Sequence, residues 1–232
     1  FMFFTMSKFM VIRFVLFVQL VIFSNMSAAQ VNDAGLWASI NLEKKFTKKF
    51  SLHFSEELRF NENFSELGAF FSELTAEYQF NKMFSVSGGY RFTQRRRIDD
   101  SYSVRHRYLI NFNVRDKLGQ LGFNLRLRYQ SQYADIYSSE DGVIPNNYFR
   151  PKLTLKYDLE KKYTPNVSAE GFIHLNRPDG VLFDNYRIEA GMEYEFTKQS
   201  SVDLGYMINK EVQVADPWTI YVIVAGWNYV FK

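Results

Sequence analysis

The sequence has 232 residues, a net charge of +3 and no cysteine, and Phe, Tyr and Trp together make up 18% of it. This length favours one domain, and the lack of cysteine excludes disulfide scaffolds, thiolate metal ligands and cysteine nucleophiles. The small net charge argues against nucleic acid as a partner. Because the mean hydropathy is only -0.26 despite the aromatic content, apolar and polar residues must alternate closely.

The N-terminus carries the only long apolar run. Lys8 and Arg13 flank the start of an apolar stretch over residues 14–23, and the small residues Ser27-Ala28-Ala29 follow it. This pattern predicts a cleavable signal peptide over residues 1–29 and an exported protein. An N-terminal membrane anchor is the alternative, although an apolar core of about ten residues is too short to cross a bilayer as a helix.

Beyond the leader, apolar residues recur with a period of two, as in Phe50, Leu52 and Phe54. The alternation predicts eleven strands of about nine to thirteen residues each and no amphipathic helix. Short turns are predicted near residues 47–48, 81–82, 116–117, 161–162 and 198–199, and longer polar loops near 61–66, 95–101, 134–147, 176–184 and 211–217. Turns and loops that alternate in this way are typical of outer-membrane barrels.

These features predict an all-β fold, an antiparallel transmembrane up-and-down β-barrel over residues 30–232, in the outer membrane of a Gram-negative bacterium. The alternative is a secreted β-sandwich, whose core would be rich in Val, Ile and Leu, whereas Phe and Tyr dominate here. Single-chain bacterial barrels have even strand numbers, and eleven strands would leave the N-terminus on the loop side. The range is therefore ten to twelve, with twelve favoured if residues 31–46 hold a second short strand.

The residues between the aromatic positions would line the lumen, and their charges are segregated along the sequence. The predicted basic lumen residues are Arg91, Arg105, Arg107, Arg126, Arg128, Arg150 and Lys152, from strands four to seven. The predicted acidic lumen residues are Glu57, Glu73, Glu77, Glu170, Glu189, Glu193 and Glu195, from strands two, three, eight and nine. Arg59 and Arg187 are exceptions within the acidic strands. One wall of the barrel is therefore expected to be basic and the opposite wall acidic.

Two interpretations of this segregation are open. In the first, the charges meet across a narrow interior and form a buried ion-pair network that fills the lumen. In the second, a watery pore carries a transverse field that orients dipolar solutes. The first is favoured, because barrels of this strand number are narrow.

The sequence offers little evidence for catalysis or metal binding. No His-rich motif with metal-ligand spacing is present, so neither a metal site nor a cofactor is predicted. His53, Ser55 and Glu57 share a strand face, but residues two apart on a strand are about 7 Å apart, which is unfavourable for a Ser–His pair. His106 is expected on the lipid-facing side near the loops. No catalytic residue is assigned.

Two charged features remain. Glu56 interrupts the apolar face of the second strand, which would be explained by a bulge that shifts the register or by a protein contact that covers it. Arg95-Arg96-Arg97, followed by Ile98-Asp99-Asp100, lies on a predicted outer loop. There it is expected to bind anionic lipid sugars or to stay solvated rather than to contact nucleic acid.

Short motifs across most of the chain resemble the Bacteroidota outer-membrane family filed as a domain of unknown function, DUF2490. They are Trp37, Glu57-Leu58-Arg59-Phe60, Gly89-Tyr90-Arg91, Arg105-His106-Arg107, Arg126-Leu127-Arg128-Tyr129, Asn185-Tyr186-Arg187 with Gly191 and Tyr194, and Leu204-Gly205-Tyr206-Met207. The resemblance implies a barrel and an outer-membrane location, and it carries no catalytic residues.

The sequence therefore predicts an integral outer-membrane barrel without enzymatic activity, acting as a structural element or a narrow, porin-like solute channel. Its expected partners are outer-membrane lipid and lipopolysaccharide, the barrel assembly machinery and, for a channel, small solutes. One alternative is an enzyme that modifies lipid or lipopolysaccharide through His53 or His106. Another is an interaction scaffold that uses the loop at residues 134–147.

Overall fold

A computed structural model describes residues 31–134, 145–160, 162–178, 180, 182–214 and 216–231. These residues belong to a unit over Val31–Lys232 and form eleven strands without a helix. The strands are β1 (Val31–Lys45), β2 (Phe50–Asn61), β3 (Glu66–Gln79), β4 (Phe84–Arg96), β5 (Tyr102–Leu118), β6 (Leu121–Ala134), β7 (Asn146–Tyr157), β8 (Tyr163–His174), β9 (Phe183–Thr197), β10 (Ser200–Glu211) and β11 (Trp218–Phe231). In the described ranges no helix has the length and apolar character needed to cross a membrane. The predicted signal peptide lies outside the described residues.

The strands close into a barrel in which each strand pairs with its neighbours in sequence and β1 pairs with β11. Consecutive strands run antiparallel, whereas β1 and β11 run parallel, with Val31 opposite Trp218 and Lys44 opposite Phe231. Antiparallel neighbours alternate in direction, so an odd number of strands closes only through one parallel pair. The expectation of a wholly antiparallel barrel was therefore wrong at this one seam.

The strand count lies within the predicted range of ten to twelve. The second short strand that would have given twelve is not formed, because Val31–Lys45 is one continuous strand of 15 residues. The observed strands have 12 to 17 residues, and most therefore exceed the predicted lengths.

Short turns join the strands at one end of the barrel, here the turn end, and longer segments join them at the other, the loop end. At the turn end, the Asn81 side-chain oxygen accepts hydrogen bonds from the amides of Met83 and Phe84, both at 2.8 Å. At the loop end, Asp33 accepts from the amides of Glu62 and Asn63, both at 3.0 Å. The strand β1 begins at the loop end and β11 finishes at the turn end.

The outer face of the barrel is apolar, as the period of two predicts. Leu204 is 60% exposed, Ile110 58% and Leu74 52%, although all three lie within strands. Aromatic pairs gather near the turn end, such as Tyr194 with Phe196 at 4.9 Å between ring centroids, and toward the loop end, such as Tyr108 with Tyr133 at 6.2 Å. The exposed apolar surface thus has an aromatic border at each end.

The inner face holds the buried residues. Val222 is 0% exposed and Phe71 2%, and a small apolar cluster of Met207, Ile220 and Val222 packs against Trp37. Arg128, Arg150 and Glu170 are buried on the same face. The interior is therefore occupied by both apolar and charged side chains.

Candidate functional site

The predicted lumen residues share one face of the sheet. In the strand register Glu73 lies opposite Arg91, Arg91 opposite Arg107, and Lys152 opposite Glu170. Contacts that skip strands identify this face as the inner one, because only side chains inside a closed barrel reach past a neighbouring strand. Arg128 of β6, for example, lies 3.8 Å from Glu73 of β3.

Glu170 of β8 is the centre of the first ion cluster. Its carboxylate accepts hydrogen bonds from Arg126 of β6 and from Arg150 of β7, the latter with Nε to Oε1 at 3.1 Å. Arg187 of β9 approaches the other oxygen at 3.9 Å. Arg150 also donates to the amide oxygen of Gln130 at 2.8 Å. One buried carboxylate is therefore shared by three arginines from three strands.

Glu73 of β3 is the centre of a second ion cluster. It accepts a hydrogen bond from Arg91 Nε at 2.6 Å and faces Arg128. Arg128 in turn donates from Nε to the side-chain oxygen of Asn111 at 2.7 Å. Charge-assisted bonds of this kind are about twice as strong as neutral ones, and here both partners are shielded from water.

Further pairs continue toward the turn end. They join Arg115 to Glu77 at 3.1 Å, Lys152 to Glu189 at 3.5 Å and Lys156 to Glu193 at 2.9 Å. In each of these pairs, one other strand lies between the two strands that the pair links. The charges thus meet mainly along the seams between basic and acidic strands, and the expectation that they meet across the lumen describes only Arg128 and Glu73.

The centre of the lumen is filled by arginine–aromatic contacts, which we call the arginine–aromatic layer. Arg91 lies 3.9 Å from the ring centroid of Phe71, and Arg59 lies between Phe71 and Trp37 at 4.7 and 3.5 Å. The sequence of contacts continues through Arg187 and Phe172 to Arg150, with distances of 4.8, 4.6 and 4.1 Å. Cation–π contacts of this kind contribute roughly 0.5 to 2 kcal/mol each, most when desolvated.

The arginine–aromatic layer is continuous around most of the wall. Its members come from β4, β3, β2, β1, β9, β8 and β7 in that order. Of the strands that contribute no member, β5, β10 and β11 carry the buried side chains of Leu109 and Met207, each 3% exposed, and Val222. The layer therefore connects most of the wall through contacts inside the barrel.

Sequence reasoning missed the aromatic members of this layer because it placed aromatic residues on the lipid side. A signal was present in the sequence. Phe70-Phe71 and Phe172-Ile173 are consecutive apolar residues, and in a strand one residue of each such pair must point inward.

Toward the turn end from the arginine–aromatic layer, the lumen contains a cavity of about 210 Å³. Its lining includes Lys156, Glu189 and Asp203, together with Gly191 and Gly205. The two glycines lie opposite each other, and a Cβ atom on Gly191 would come within 2.9 Å of the Leu204 carbonyl oxygen. The interior is thus packed at the layer and open below it.

Three of the predicted lumen residues have no carboxylate or cationic partner among the described residues. Arg107 donates to the side-chain oxygen of Gln132 only. Arg105 has a buried Nε without a hydrogen-bond partner. Glu195 lies exposed near the turn end. The first two are at the loop end of the basic wall.

The histidines differ from expectation. His53 Nε2 lies 2.9 Å from Ser51 Oγ, so a Ser–His contact between residues two apart does form, but with Ser51 and not with the Ser55 considered from the sequence. Ser55 instead donates to Asn41 at 2.7 Å. His106 lies on the outer face, as expected, with Nδ1 2.6 Å from the Tyr90 hydroxyl.

His174, which sequence reasoning left aside, is the buried histidine. Its ring stacks on Tyr148 at 4.4 Å, and its Nδ1 lies 3.7 Å from the Asp184 carboxylate. Tyr148 donates to the same carboxylate at 3.3 Å. Nothing in the sequence spacing of these three residues indicates the contact, because they come from three strands.

Glu56 lies on the outer face and accepts hydrogen bonds from the Ser72 hydroxyl at 2.8 and 2.9 Å. The protein contact proposed from the sequence is therefore present. The alternative of a bulge at Glu56 was wrong, since the register of β2 and β3 shifts between Arg59 and Phe60 instead.

The outer-loop arginines separate into two kinds. Arg96 pairs with Glu66 at 2.7 Å and with Asp100 at 2.6 Å, whereas Arg97 is exposed.

In the described ranges no group of three or more His, Asp or Glu side chains is arranged to hold a metal ion. Most of the loop at residues 134–147, the predicted interaction surface, lies outside the described residues.

Comparison with known proteins places these features in a family. The model for the family described as "Protein of unknown function (DUF2490)" matches residues 34–219. LpxR from Salmonella typhimurium is similar in structure, with 8% sequence identity, 82% of this chain and 87% of that chain covered, and a TM-score of 0.49. At this degree of similarity no property of LpxR transfers to this chain. No curated protein matches the sequence. Since the family model spans most of the barrel, the chain belongs to the DUF2490 family.

Proposed function

We propose that this protein is an integral outer-membrane barrel without enzymatic activity, whose lumen is closed, and that it acts as a rigid structural element rather than as a solute channel. The observation that carries the proposal is the arginine–aromatic layer, which runs from Arg91 to Arg150 through seven strands. Its partners would be the lipid and lipopolysaccharide around the barrel and the machinery that assembles barrels.

The membrane location is supported by the outer face. Large apolar side chains such as Leu204 and Ile110 are more than half exposed, and soluble monomers rarely expose contiguous apolar surface of this extent. Aromatic borders at both ends and tilted strands of 12 or more residues match what a bilayer requires.

The closed lumen is supported by burial and pairing at the layer. Phe71 is 2% exposed and Arg150 5%, so these side chains leave no room for water along them. Removing Glu170 would leave the buried guanidinium groups around it without their carboxylate, so this part of the layer is held in place by its own ion pairs. A packed interior of this kind conducts no solute without rearrangement.

The experiment is a solute-efflux assay on proteoliposomes that contain the purified, folded protein and a small sugar. We expect the sugar to be retained as in protein-free liposomes. An open porin reconstituted in the same lipid provides the positive control. Efflux at a rate that scales with the amount of folded protein would overturn the closed-lumen proposal.

The enzyme alternative has weaker geometric support. His53 and His106 each contact a hydroxyl group, and Glu43, which lies opposite His53, pairs with Lys45 at 3.4 Å. A barrel hydrolase would lose turnover in His53→Ala, His106→Ala or His174→Ala while it remained folded. Our proposal expects no turnover of lipid or lipopolysaccharide by the wild-type protein in the same assay.

A further inference from the structure

The loop end of the lumen holds a group of inward-facing arginines, which we call the mouth arginines: Arg95, Arg105 and Arg107. They come from the two neighbouring strands β4 and β5. Arg107 lies opposite Arg91, Arg105 opposite Thr93 and Arg95 opposite Ser103. Arg105 is the diagonal neighbour of Arg95 and lies two residues from Arg107 on the same strand, and each of these separations is about 7 to 8 Å. Arg105 therefore links the other two positive charges in one region of the mouth.

The mouth arginines lack negative partners. Among the described residues, no carboxylate lies within ion-pair distance of any of them. Arg107 donates to the neutral amide oxygen of Gln132, and the Nε of Arg105 is buried without a hydrogen-bond partner. A buried donor without a partner is unfavourable, because it has given up its hydrogen bonds to water without replacing them.

Three carboxylates near this end are engaged elsewhere. Asp33 accepts from the amides of the loop at Glu62 and Asn63. Asp99 accepts from Ser101, with Oγ to Oδ1 at 2.6 Å, and Asp100 pairs with Arg96. Within the described ranges, none of these three carboxylates forms an ion pair with a mouth arginine.

The arginines of the arginine–aromatic layer differ from the mouth arginines. Arg91, directly opposite Arg107, is held by Glu73 at 2.6 Å, and every arginine of the arginine–aromatic layer has a carboxylate within 4.0 Å. Arg107 therefore borders this layer, and Arg105 and Arg95 follow it toward the loop end, without such partners among the described residues.

We propose that the mouth arginines bind a phosphate group that enters the lumen from the loop end. Guanidinium groups donate in a planar fork that matches the oxygens of phosphate, and the hydroxyl-bearing Thr93 is opposite Arg105. Ser103, opposite Arg95, donates its hydroxyl to the Arg95 carbonyl oxygen at 3.2 Å. Because these side chains face the lumen rather than the lipid, the site favours a phosphate on a soluble compound over one on a lipid headgroup. The site lies above the layer and does not depend on whether the layer seals the lumen.

The test is isothermal titration of inorganic pyrophosphate into the purified protein, folded in phosphatidylcholine nanodiscs at low salt. We expect saturable binding that weakens as salt is added. The double variant Arg105→Gln and Arg107→Gln should weaken binding by about tenfold or more, the effect of losing one or more charge-assisted hydrogen bonds. The single variant Arg95→Gln, at an exposed position, serves if the double variant does not fold.

The matched control is the double variant Arg115→Gln and Lys117→Gln. It removes the same charge from the same strand β5, but at the turn end, where both side chains are exposed. Affinity for pyrophosphate should be unchanged in this control. Equal weakening in the control and in the mouth variant would show that net charge alone attracts the probe, and would overturn the proposal.

A second arm distinguishes the source of the phosphate. The titration is repeated in nanodiscs that also contain phosphatidic acid, whose headgroup carries a phosphate monoester. Unchanged affinity for pyrophosphate supports a soluble ligand. If phosphatidic acid lowers the affinity of the wild-type protein for pyrophosphate but leaves that of the mouth variant unchanged, the lipid phosphate occupies the same site. Absence of binding by the wild-type protein in both nanodiscs would overturn the proposal.

Discussion

The guanidinium carbon of Arg59 lies 3.5 Å from the ring centroid of Trp37, inside the barrel. The guanidinium carbon of Arg187 lies 4.8 Å from the centroid of the same ring. One tryptophan thus contacts two positive charges. Each arginine also has a carboxylate partner, Glu57 for Arg59 and Glu170 for Arg187. This arrangement explains how so many arginines pack in one narrow lumen.

The ion pairs of Glu170 are expected to contribute strongly to stability. In Glu170→Gln, three arginines lose their carboxylate in a buried setting, which should lower the free energy of unfolding by about 3 to 5 kcal/mol. Urea unfolding of the lipid-embedded protein, followed by tryptophan fluorescence, measures the change. Glu195→Gln, at an exposed site without an ion pair in the described ranges, is the control and should stay within about 0.5 kcal/mol of wild type.

A second substitution sharpens this prediction. Adding Arg150→Met to Glu170→Gln removes one of the charges left without compensation, so part of the lost stability should return. A lower free energy of unfolding for the double variant than for Glu170→Gln alone would contradict this prediction. It would show that side-chain packing, rather than charge, stabilises this part of the lumen.

The two faces of the wall predict different environments for two of the tryptophans. Trp37 lies within the lumen, whereas Trp227 is 41% exposed on the outer face. In variants that retain a single tryptophan, brominated acyl chains should quench the fluorescence of Trp227 and leave that of Trp37 nearly unchanged. Equal quenching of both would contradict the assignment of inner and outer faces.

The parallel seam between β1 and β11 can be tested by cross-linking, because the chain contains no cysteine. Ala38 lies opposite Ala225 across this seam, within the distance at which a disulfide forms. Mild oxidation of the variant Ala38→Cys with Ala225→Cys should therefore produce an internal disulfide, detected by the altered gel mobility of the unreduced, denatured chain.

The control for the seam uses the next strand. Leu204 of β10 lies opposite Ala225, so it is two strand spacings, roughly 9.5 Å, from Ala38, too far for a disulfide. Ala38→Cys with Leu204→Cys should remain reduced. Cross-linking of this pair in preference to the first would contradict the register of the seam.

Much of the barrel was predictable from the sequence because every strand must present apolar side chains to the lipid on its outer face. The alternation of Phe50, Leu52 and Phe54 with polar residues indicated strand positions and faces, and the charged residues that it assigned to the lumen share the inner face. Glu56 was visible as an exception for the same reason. Its partner Ser72 was not, since the sequence does not give the register of β2 against β3.

Other features depend on contacts that no local pattern records. The stacking of Phe172 between Arg150 and Arg187 requires three strands in one register. The parallel pairing of β1 with β11 follows from closing an odd number of strands, which the expected parity of bacterial barrels argued against. His174 was passed over because its partners Tyr148 and Asp184 lie on other strands.

The closed lumen is tested most directly by ion conductance of the folded protein in a planar bilayer. We predict no steps for the wild type, and stable steps for the variant Trp37→Ala with Phe172→Ala, which removes two rings of the arginine–aromatic layer. The outer-face variant Trp227→Ala with Phe196→Ala should stay silent. Reproducible steps from the wild-type protein, of a size that the layer variant leaves unchanged, would contradict a lumen closed by this layer.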